Sequence, residues 1–473
     1  VGNPCRLVAR LVNHGGKRAR GVKAALTVPP GVRVCPLAPG GAAPLNFEFQ
    51  VPAAFRFVLT ADRPVRGEAV LRLSAPNIAP ATYRAPIAIE RALDVPKADY
   101  VPEPRPARTR YQVGTYYFPG WDTGLKWECI ENIAPIRKPV LGYYDESNPE
   151  VADWQIKWAV EHGITFFLVD WYWSAGNRHL EHWLHNAYLR SRYRRHLQWA
   201  VMWANHNAPN THSEEDWRQV TQYWIDHYFG MPEYQRLNGK PAVYIWAPSN
   251  IRRDVGGTQN AARLLAMSQE MAKKAGYPGI SFVSMNAGGS PEEARLLAAE
   301  GYVANTTYHW WADAPSIAPD PQHFSYSLVV SRSRQAWEKR AKVGAEAGLP
   351  FIPVADTGWD SRPWHGDRAR VISGRTVPEF ERLLREAKAY LDDRGETMLI
   401  LGPCNEWGEG SYIEPCAEFG FGMYDAVRRV FCDEPEPHTD LAPVDVGLGP
   451  YDLPMAAPAV RSEWHFNTPG DPE

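Results

Sequence analysis

Thr165-Phe166-Phe167-Leu168-Val169-Asp170-Trp171 is a short, near-continuous apolar run that stops on a carboxylate. A strand apolar at consecutive positions has both faces buried, as in parallel sheets covered by helices. Helical patterns flank it, at 150–162 before and 178–196 after. Outward in both directions the same strand–loop–helix rhythm recurs. The expected strands are 112–117, 165–170, 198–203, 242–246, 281–285, 302–306, 351–355 and 398–402. Helical patterns at 214–229, 259–275, 291–300, 326–347 and 377–393 separate them, and 422–431 follows the last strand. Eight such units predict an α/β fold, a (β/α)8 TIM barrel, with a doubly wound open sheet as the rival.

Residues 1–95 read differently. Runs at 6–12, 24–28, 45–51 and 69–73 alternate apolar and polar residues, separated by turns such as Asn13-His14-Gly15-Gly16 and Pro29-Pro30-Gly31. That predicts a small all-β immunoglobulin-like sandwich, a support beside the barrel or, alternatively, a sugar-binding module. The expected order is therefore an accessory sandwich (1–95), a stiff Pro-rich linker (96–110) and the barrel (111–432). A Pro-rich tail (433–473) that wraps the barrel or is partly disordered completes it.

Bulk composition narrows the chemistry. With 51 Lys and Arg against 54 Asp and Glu, the chain lacks the basic excess needed to neutralise phosphates, so nucleic acid is not an expected partner. The arginines of Arg190–Arg195 read as a solvated helix face. No apolar run reaches the roughly 20 residues of a membrane span. The chain begins at Val1, and we expect a secreted or periplasmic bacterial protein whose signal segment is missing from it. Six cysteines show no metal-ligand spacing; Cys5 and Cys35 share the first domain as a possible disulfide pair. The 19 Trp exceed what a core requires, and aromatic faces stack on sugar rings.

In this fold the chemistry sits at the C-terminal ends of the strands. Read in order, those ends carry Tyr116, Tyr117 and Trp121; Asp170, Trp171, Tyr172 and Trp173; Trp203, Asn205 and His206; then Trp246. Asn286 follows, then Tyr308, His309, Trp310 and Trp311; Asp356, Trp359 and Asp360; and finally Asn405, Glu406, Trp407 and Glu409. Single aromatics at strand ends often just cap a barrel core. Amides and carboxylates beside them on most strands describe a groove for a polyhydroxylated ring, so the expected partner is a polysaccharide or oligosaccharide. Asp170 ends an apolar strand, where an ionised group is costly unless it binds hydroxyls, holds a catalytic Glu or bonds a barrel loop. Asp356 follows the same reasoning, and His206 and His309 are weaker candidates.

Leu401–Pro415 reads LGPCNEWGEGSYIEP. If the loop turns helically, Glu406 and Glu409 project to one side. Glycosidic cleavage needs a proton donor for the leaving oxygen and a second carboxylate on the sugar, which this pair supplies. Repulsion and burial then hold one carboxyl protonated. A solvated helix face is the ordinary alternative for such a pair, but this one follows a buried strand and is hemmed by three glycines. No metal-ligand spacing, phosphate-cradling Gly-rich loop or Gly-x-Ser-x-Gly elbow occurs, so no metal or cofactor is expected.

Asn405-Glu406-Trp407-Gly408-Glu409-Gly410, with Tyr412-Ile413-Glu414-Pro415 after it, resembles the Asn-Glu-Trp-x-Glu-Gly signature of glycoside hydrolase family 99. That family comprises endo-α-mannosidases and endo-α-mannanases. The motif is still more similar to the related WbsX-like proteins, often labelled glycosyltransferases. Tyr116-Tyr117-Phe118-Pro119-Gly120-Trp121 and Val169-Asp170-Trp171-Tyr172 resemble the family's first two strands. The resemblance implies a retaining, endo-acting barrel hydrolase without a metal. In its implied mechanism Glu406 deprotonates the substrate 2-hydroxyl, giving a 1,2-anhydro sugar, while Glu409 protonates the leaving oxygen. The chain departs from endo-mannosidases at Gly408, where those commonly carry His.

Overall fold

The computed structural model describes residues 5–11, 18–36, 45–47, 53–89, 93–313, 317–433 and 438–453. The chain divides into two compact units, Val1–Lys97 and Ala98–Glu473.

The first unit contains β1 (Cys5–Leu11), β2 (Ala19–Thr27), β3 (Val32–Pro36), β4 (Leu45–Phe47), β5 (Ala53–Ala61), β6 (Val65–Ala75) and β7 (Ile78–Ile89). They pair antiparallel in two sheets, β1-β5-β3 and β4-β2-β6-β7. Strand alternation supplies the core: Phe55, Phe57, Leu59 and Ala61 point one way from β5. They join Val22, Val32, Leu71 and Leu73 of the other strands in one apolar cluster fed by both sheets. Of the strand expected at 45–51, the part beyond Phe47 lies outside the described residues, as do the turn at 13–16 and the side chains of Cys5 and Cys35.

The second unit is a barrel. Its strands are β8 (Gln112–Tyr117), β9 (Phe166–Ser174), β10 (Gln198–Trp203), β11 (Lys240–Ile245), β12 (Ser281–Met285), β13 (Ala304–Thr306), β14 (Val354–Ala355) and β15 (Met398–Leu401). Neighbours pair in parallel from β8 to β13, β14 pairs with β15, and β15 returns to β8. The ring closes where Asn305 N donates to Pro350 O at 2.8 Å and Ile352 N donates to Asn305 O at 2.8 Å. Among the described residues, the helices that cover the outside include α1 (Pro149–Glu161), α2 (Glu214–His227), α3 (Thr258–Lys274), α4 (Pro291–Glu300), α5 (Tyr326–Ala347), α6 (Val377–Arg394) and α7 (Gly422–Phe431). Ser213, Ser290, Ser325 and Thr376 cap α2, α4, α5 and α6, each side chain accepting an otherwise orphaned backbone N–H of the first turn.

The helix expected at 178–196 does not form. β9 overruns Asp170 to Ser174, then turns through Ala175-Gly176 into a short antiparallel strand at Asn177–His179. Beyond it the chain makes a π turn at Trp183–Ala187 and isolated 3-10 turns. Asp153 of α1 accepts the backbone N–H of Arg192 at 3.0 Å and of Tyr193 at 2.9 Å. A carboxylate that takes those donors offers the backbone an alternative to a continuous helix.

The Pro-rich stretch after Lys97 is a strap rather than a free spacer. Ala98 N donates to Val446 O, Arg105 N to Glu161 Oε1 and Ala107 N to Val160 O, and Val101 is fully buried. Residues 438–453 lie across the barrel too: Leu441 O accepts Trp158 Nε1, and Tyr451 N and Leu453 N donate to Leu141 O and Tyr143 O. Together these segments bury α1 almost completely. Among the described residues no helix is long and apolar enough to cross a membrane.

Candidate active site

The chain leaving β15 does not turn helically. Asn405–Glu406 pairs antiparallel with Ser411–Tyr412, and Gly410 N folds back on Trp407 O at 3.4 Å. Glu406 therefore ends one arm of a tight hairpin, opposite Ser411, and Glu409 sits in its turn, so the two do not share one helix face. Gly410 adopts φ +72°, and a Cβ there would stand 2.6 Å from Asp360 N, so both conformation and space demand glycine. Gly408 answers to space alone. A Cβ on it would fall 2.0 Å from Cε2 of Trp364, whose indole lies against the hairpin backbone between the two glutamates and is 37% exposed.

Two arginines that the sequence reading missed pin this hairpin. Buried Arg137 donates to Trp407 O at 2.7 Å and Asp360 O at 2.9 Å, and pairs with the Asp360 carboxylate at 2.8 Å. Arg375 donates to Gly410 O at 3.1 Å and Tyr412 O at 3.0 Å, with its guanidinium 4.1 Å from the centre of the Tyr412 ring. Their partners are mostly backbone carbonyls remote in the chain, which leaves no sequence signal.

The carboxyls gather where the strands end. Glu406 is buried, with Oε1 3.4 Å from the hydroxyl of Tyr308. The same hydroxyl is 3.5 Å from Asp170 Oδ2, so one proton serves two acceptors. Glu406 Oε2 and Asp170 Oδ1 are buried without a hydrogen-bond partner in the protein. Burial, then the charges of Glu409 and Asp170, push Glu406 well above the usual carboxylate range. Burial and the Glu409 charge do the same to Asp170. Glu409 keeps part of its surface open, and burial by the surrounding protein raises it to about 8. Two close carboxyls of this kind titrate as a unit and hold a proton into the neutral range.

Strand alternation sorts the remaining candidates. Tyr116 faces inward, its hydroxyl on Thr307 O at 2.8 Å and its ring 4.6 Å from Tyr308. Trp246 packs edge-on to Tyr308 at 4.7 Å and neighbours the exposed His206. Asn286, at φ +52°, accepts Tyr308 N at 2.9 Å and so sets that tyrosine. Asp356 holds His309 at 3.1 Å, and the other ring nitrogen of His309 faces Ser411 Oγ at 3.4 Å. Trp359 packs edge-on against His309, half-buried, with its Nε1 unpartnered.

Other expected contacts are not at the mouth. Trp171 and Trp203 point outward, against Trp224 of α2, and Trp310 donates to Ser333 of α5 at 3.1 Å. Tyr117 reaches Gln155 of α1 at 3.1 Å. Asn205 bonds the backbone of Ala247 through both side-chain atoms, and Asn405 does the same to Phe118. Trp121 donates to Asn405 O at 2.9 Å and stacks on Trp127, and Trp407 packs on Tyr412. These residues build the walls behind the site. Conversely Tyr172, two residues after Asp170 on the strand end, lies on its side of β9. Burial, then the charges of Asp170, Glu406 and Glu409, raise its phenol, so it lies within electrostatic reach of all three.

Behind the hairpin lies a second acidic group. Glu146 accepts Trp121 N at 2.7 Å and meets His182 Nε2 at 2.5 Å. Glu414 accepts Gln155 Nε2 at 3.0 Å and the Tyr144 hydroxyl at 3.2 Å, and burial pushes it up to about 8.

A closed eight-stranded parallel barrel with a carboxyl cluster at the C-terminal mouth defines a (β/α)8 protein whose site lies where this fold performs chemistry. The chain belongs to the WbsX family: the family model described as glycosyltransferase WbsX matches residues 134–427. Two relatives, both uncharacterized WxcX proteins of Xanthomonas campestris pv. campestris, are 22% and 23% identical over 328 and 324 residues. Those alignments take in 64% of this chain and 44% of each relative, so the chain spans less than half the length of the curated relatives it matches. Among solved structures, a glycoside hydrolase-like protein superposes with a TM-score of 0.50 at 17% identity, covering 71% of this chain and 98% of that one. The family 99 endo-alpha-mannosidase of Bacteroides thetaiotaomicron, in complex with Bis-Tris-propane, gives 0.49 at 17% identity, covering 68% and 97%. The first of these likenesses supports the barrel fold.

Proposed function

We propose that this chain is a retaining, endo-acting glycoside hydrolase acting on a polysaccharide or oligosaccharide, with Glu406 and Glu409 as its catalytic pair. The observation that carries this reading is the pair of buried, unpartnered acceptors, Glu406 Oε2 and Asp170 Oδ1, beside the partly open Glu409. Buried polar atoms are almost always satisfied, and two bare acceptors side by side call for an explanation such as a catalytic role or a donor brought by a ligand. Sugar hydroxyls are donors of the right kind. A 2-hydroxyl donating to Glu406 favours the carboxylate of that otherwise proton-holding group and readies it as a base. Glu409 then keeps the shared proton and delivers it to the leaving oxygen. Attack by the 2-oxygen on the anomeric carbon gives a 1,2-anhydro sugar, and water opens it with the proton transfers reversed. Asp170, Tyr172, Tyr308, Trp246, His206 and Trp359 would line the sugar.

We further propose that the two sheets of the first unit form an immunoglobulin-like accessory sandwich, and that the protein is secreted or periplasmic and serves polysaccharide degradation. A panel of polysaccharides, with sized products and the anomer followed by NMR, tests the hydrolase reading. If Glu406→Gln and Glu409→Gln both released product at the wild-type rate, the assignment of the pair would be wrong. The name of the family favours a second reading, glycosyl transfer. Turnover of a nucleotide sugar, abolished by the same substitutions, would replace hydrolysis with it.

A further inference from the structure

A cluster of side chains of metal-ligating type stands outside the barrel, where α1, α7 and the segment after residue 437 meet. His162, which ends α1, is fully buried; its Nδ1 lies 2.6 Å from Trp158 O and must be the protonated nitrogen, since a carbonyl only accepts. That fixes the tautomer and turns a lone pair on Nε2 away from the helix, the arrangement typical of a metal-bound histidine. Nε2 faces Asp440 Oδ1 at 3.1 Å, and Asp425 Oδ1 of α7 stands 3.7 Å away. His438 Nε2 comes within 3.0 Å of the same Asp440 oxygen. Even so, it is a buried atom without a hydrogen bond, misaligned for the nearest acceptor.

The ligand atoms of His162, His438 and Asp440 all lie within 4.8 Å of one another. In a tetrahedral site with bonds of about 2.0–2.1 Å, neighbouring ligand atoms are about 3.3 Å apart. The two measured His–Asp separations are close to that edge. Two neutral imidazoles and two carboxylates also balance a divalent charge. Nitrogen and oxygen donors in this number suit zinc, or cobalt or nickel in its place.

We infer that His162, His438 and Asp440, with Asp425 as a fourth donor, form a structural zinc-type site that clamps the chain after α7 across α1. The sequence hides it, because its ligands come from opposite ends of the barrel rather than from one short motif. The inference is independent of the proposed hydrolase activity, and its test needs no substrate.

The full chain, stripped with a chelator and desalted, is titrated calorimetrically with zinc chloride. One equivalent should bind, and its addition should raise the thermal midpoint. His438→Ala, a change outside the barrel strands, should abolish both effects, and Asp440→Asn should weaken binding at least tenfold. Cobalt should give visible bands of tetrahedral coordination without thiolate charge transfer, which separates this site from any cysteine site, including Cys129, Cys404, Cys416 and Cys432, the free cysteines among the described residues. Three results would overturn the inference. They are no zinc bound, zinc binding that survives His438→Ala, or a His438→Ala loss of stability equal with and without zinc. The last would make the cluster two imidazoliums sharing a carboxylate.

Discussion

The molecule buries one group of carboxyls at the barrel mouth and another behind the hairpin, and they differ in how well they are satisfied. At the mouth, Glu406 and Asp170 share a single phenolic proton at 3.4 and 3.5 Å, and each keeps one oxygen bare. Behind the hairpin, Glu146 receives a backbone N–H and a histidine at 2.7 and 2.5 Å, and Glu414 receives an amide and a phenol. Burial raises both groups, so perturbed acidity alone does not separate them. Partners do. Glu146 spends both oxygens on the protein, and Glu414 takes two donors on Oε2 and leaves Oε1 bare. The mouth carboxyls hold theirs in reserve beside the partly open Glu409, which is the arrangement of a site that meets a ligand.

Exchanging acids for amides breaks the comparison most sharply. Glu409→Gln or Glu406→Gln should lower turnover by about 10²–10⁴, the usual worth of a positioned acid or base. Glu414→Gln should leave turnover within a few-fold. Stability against pH should not discriminate. A carboxyl raised in the folded state binds more protons there than in the unfolded chain, so stability falls as pH rises. The window runs from the unfolded value near 4.3 to the folded value of about 8 for Glu409 and Glu414. Urea titrations from pH 5 to 8 should show this decline flattened in Glu409→Gln and in Glu414→Gln alike. A rate loss shared equally by both variants would end the distinction between the two groups.

Much of this was legible in sequence because it rests on local rules. β8, β10 and β12 and helices α4, α5 and α7 stand where the apolar pattern puts them. The region 178–196 was not legible, since Asp153, remote in sequence, decides it. The site was legible as a rim but not as a surface. Period two along β9 pairs Asp170 with Tyr172 on the inner face and sends Trp171 outward to α2, a sorting that a list of strand-end residues does not make. Arg137 and Arg375 were invisible for a different reason: they act on carbonyls, which every residue carries.

Those pins predict the next largest effect. Arg137 is almost fully buried against Asp360 and the carbonyls of the turn. Arg137→Ala strips a buried pair of one partner and should cost about 3–5 kcal/mol by urea unfolding. It should also loosen the mouth hairpin while leaving the rear network intact, visible as faster amide exchange at Asp360 and Gly410 than at Trp121. Gly408→Ala should cost less, about 1–3 kcal/mol, because the new methyl must displace the Trp364 indole. In the Gly408→Ala/Trp364→Ala double variant the clash has no second party, so the combined cost should fall well below the sum. Additive costs would show that the indole does not occupy that space.

The finest test concerns one hydroxyl at each group. Tyr308 donates to Glu406 or Asp170 and so favours their ionised forms, opposing burial. Tyr308→Phe removes that stabilisation and should raise the carboxyls further. The acid limb of kcat/KM, which reports the free enzyme's base, should then move to higher pH. The bonds are long, so a worth of about 0.5–1.5 kcal/mol is expected, which corresponds to about 0.4–1.1 pH units. Tyr144→Phe withdraws the equivalent donor from Glu414, 3.2 Å away. It raises that carboxyl too, but Glu414 is spent on the fold, so the acid limb should stay where it was. A limb that moved with Tyr144 and not with Tyr308 would transfer the base from the mouth to the rear, and the distinction between the two groups would be reversed.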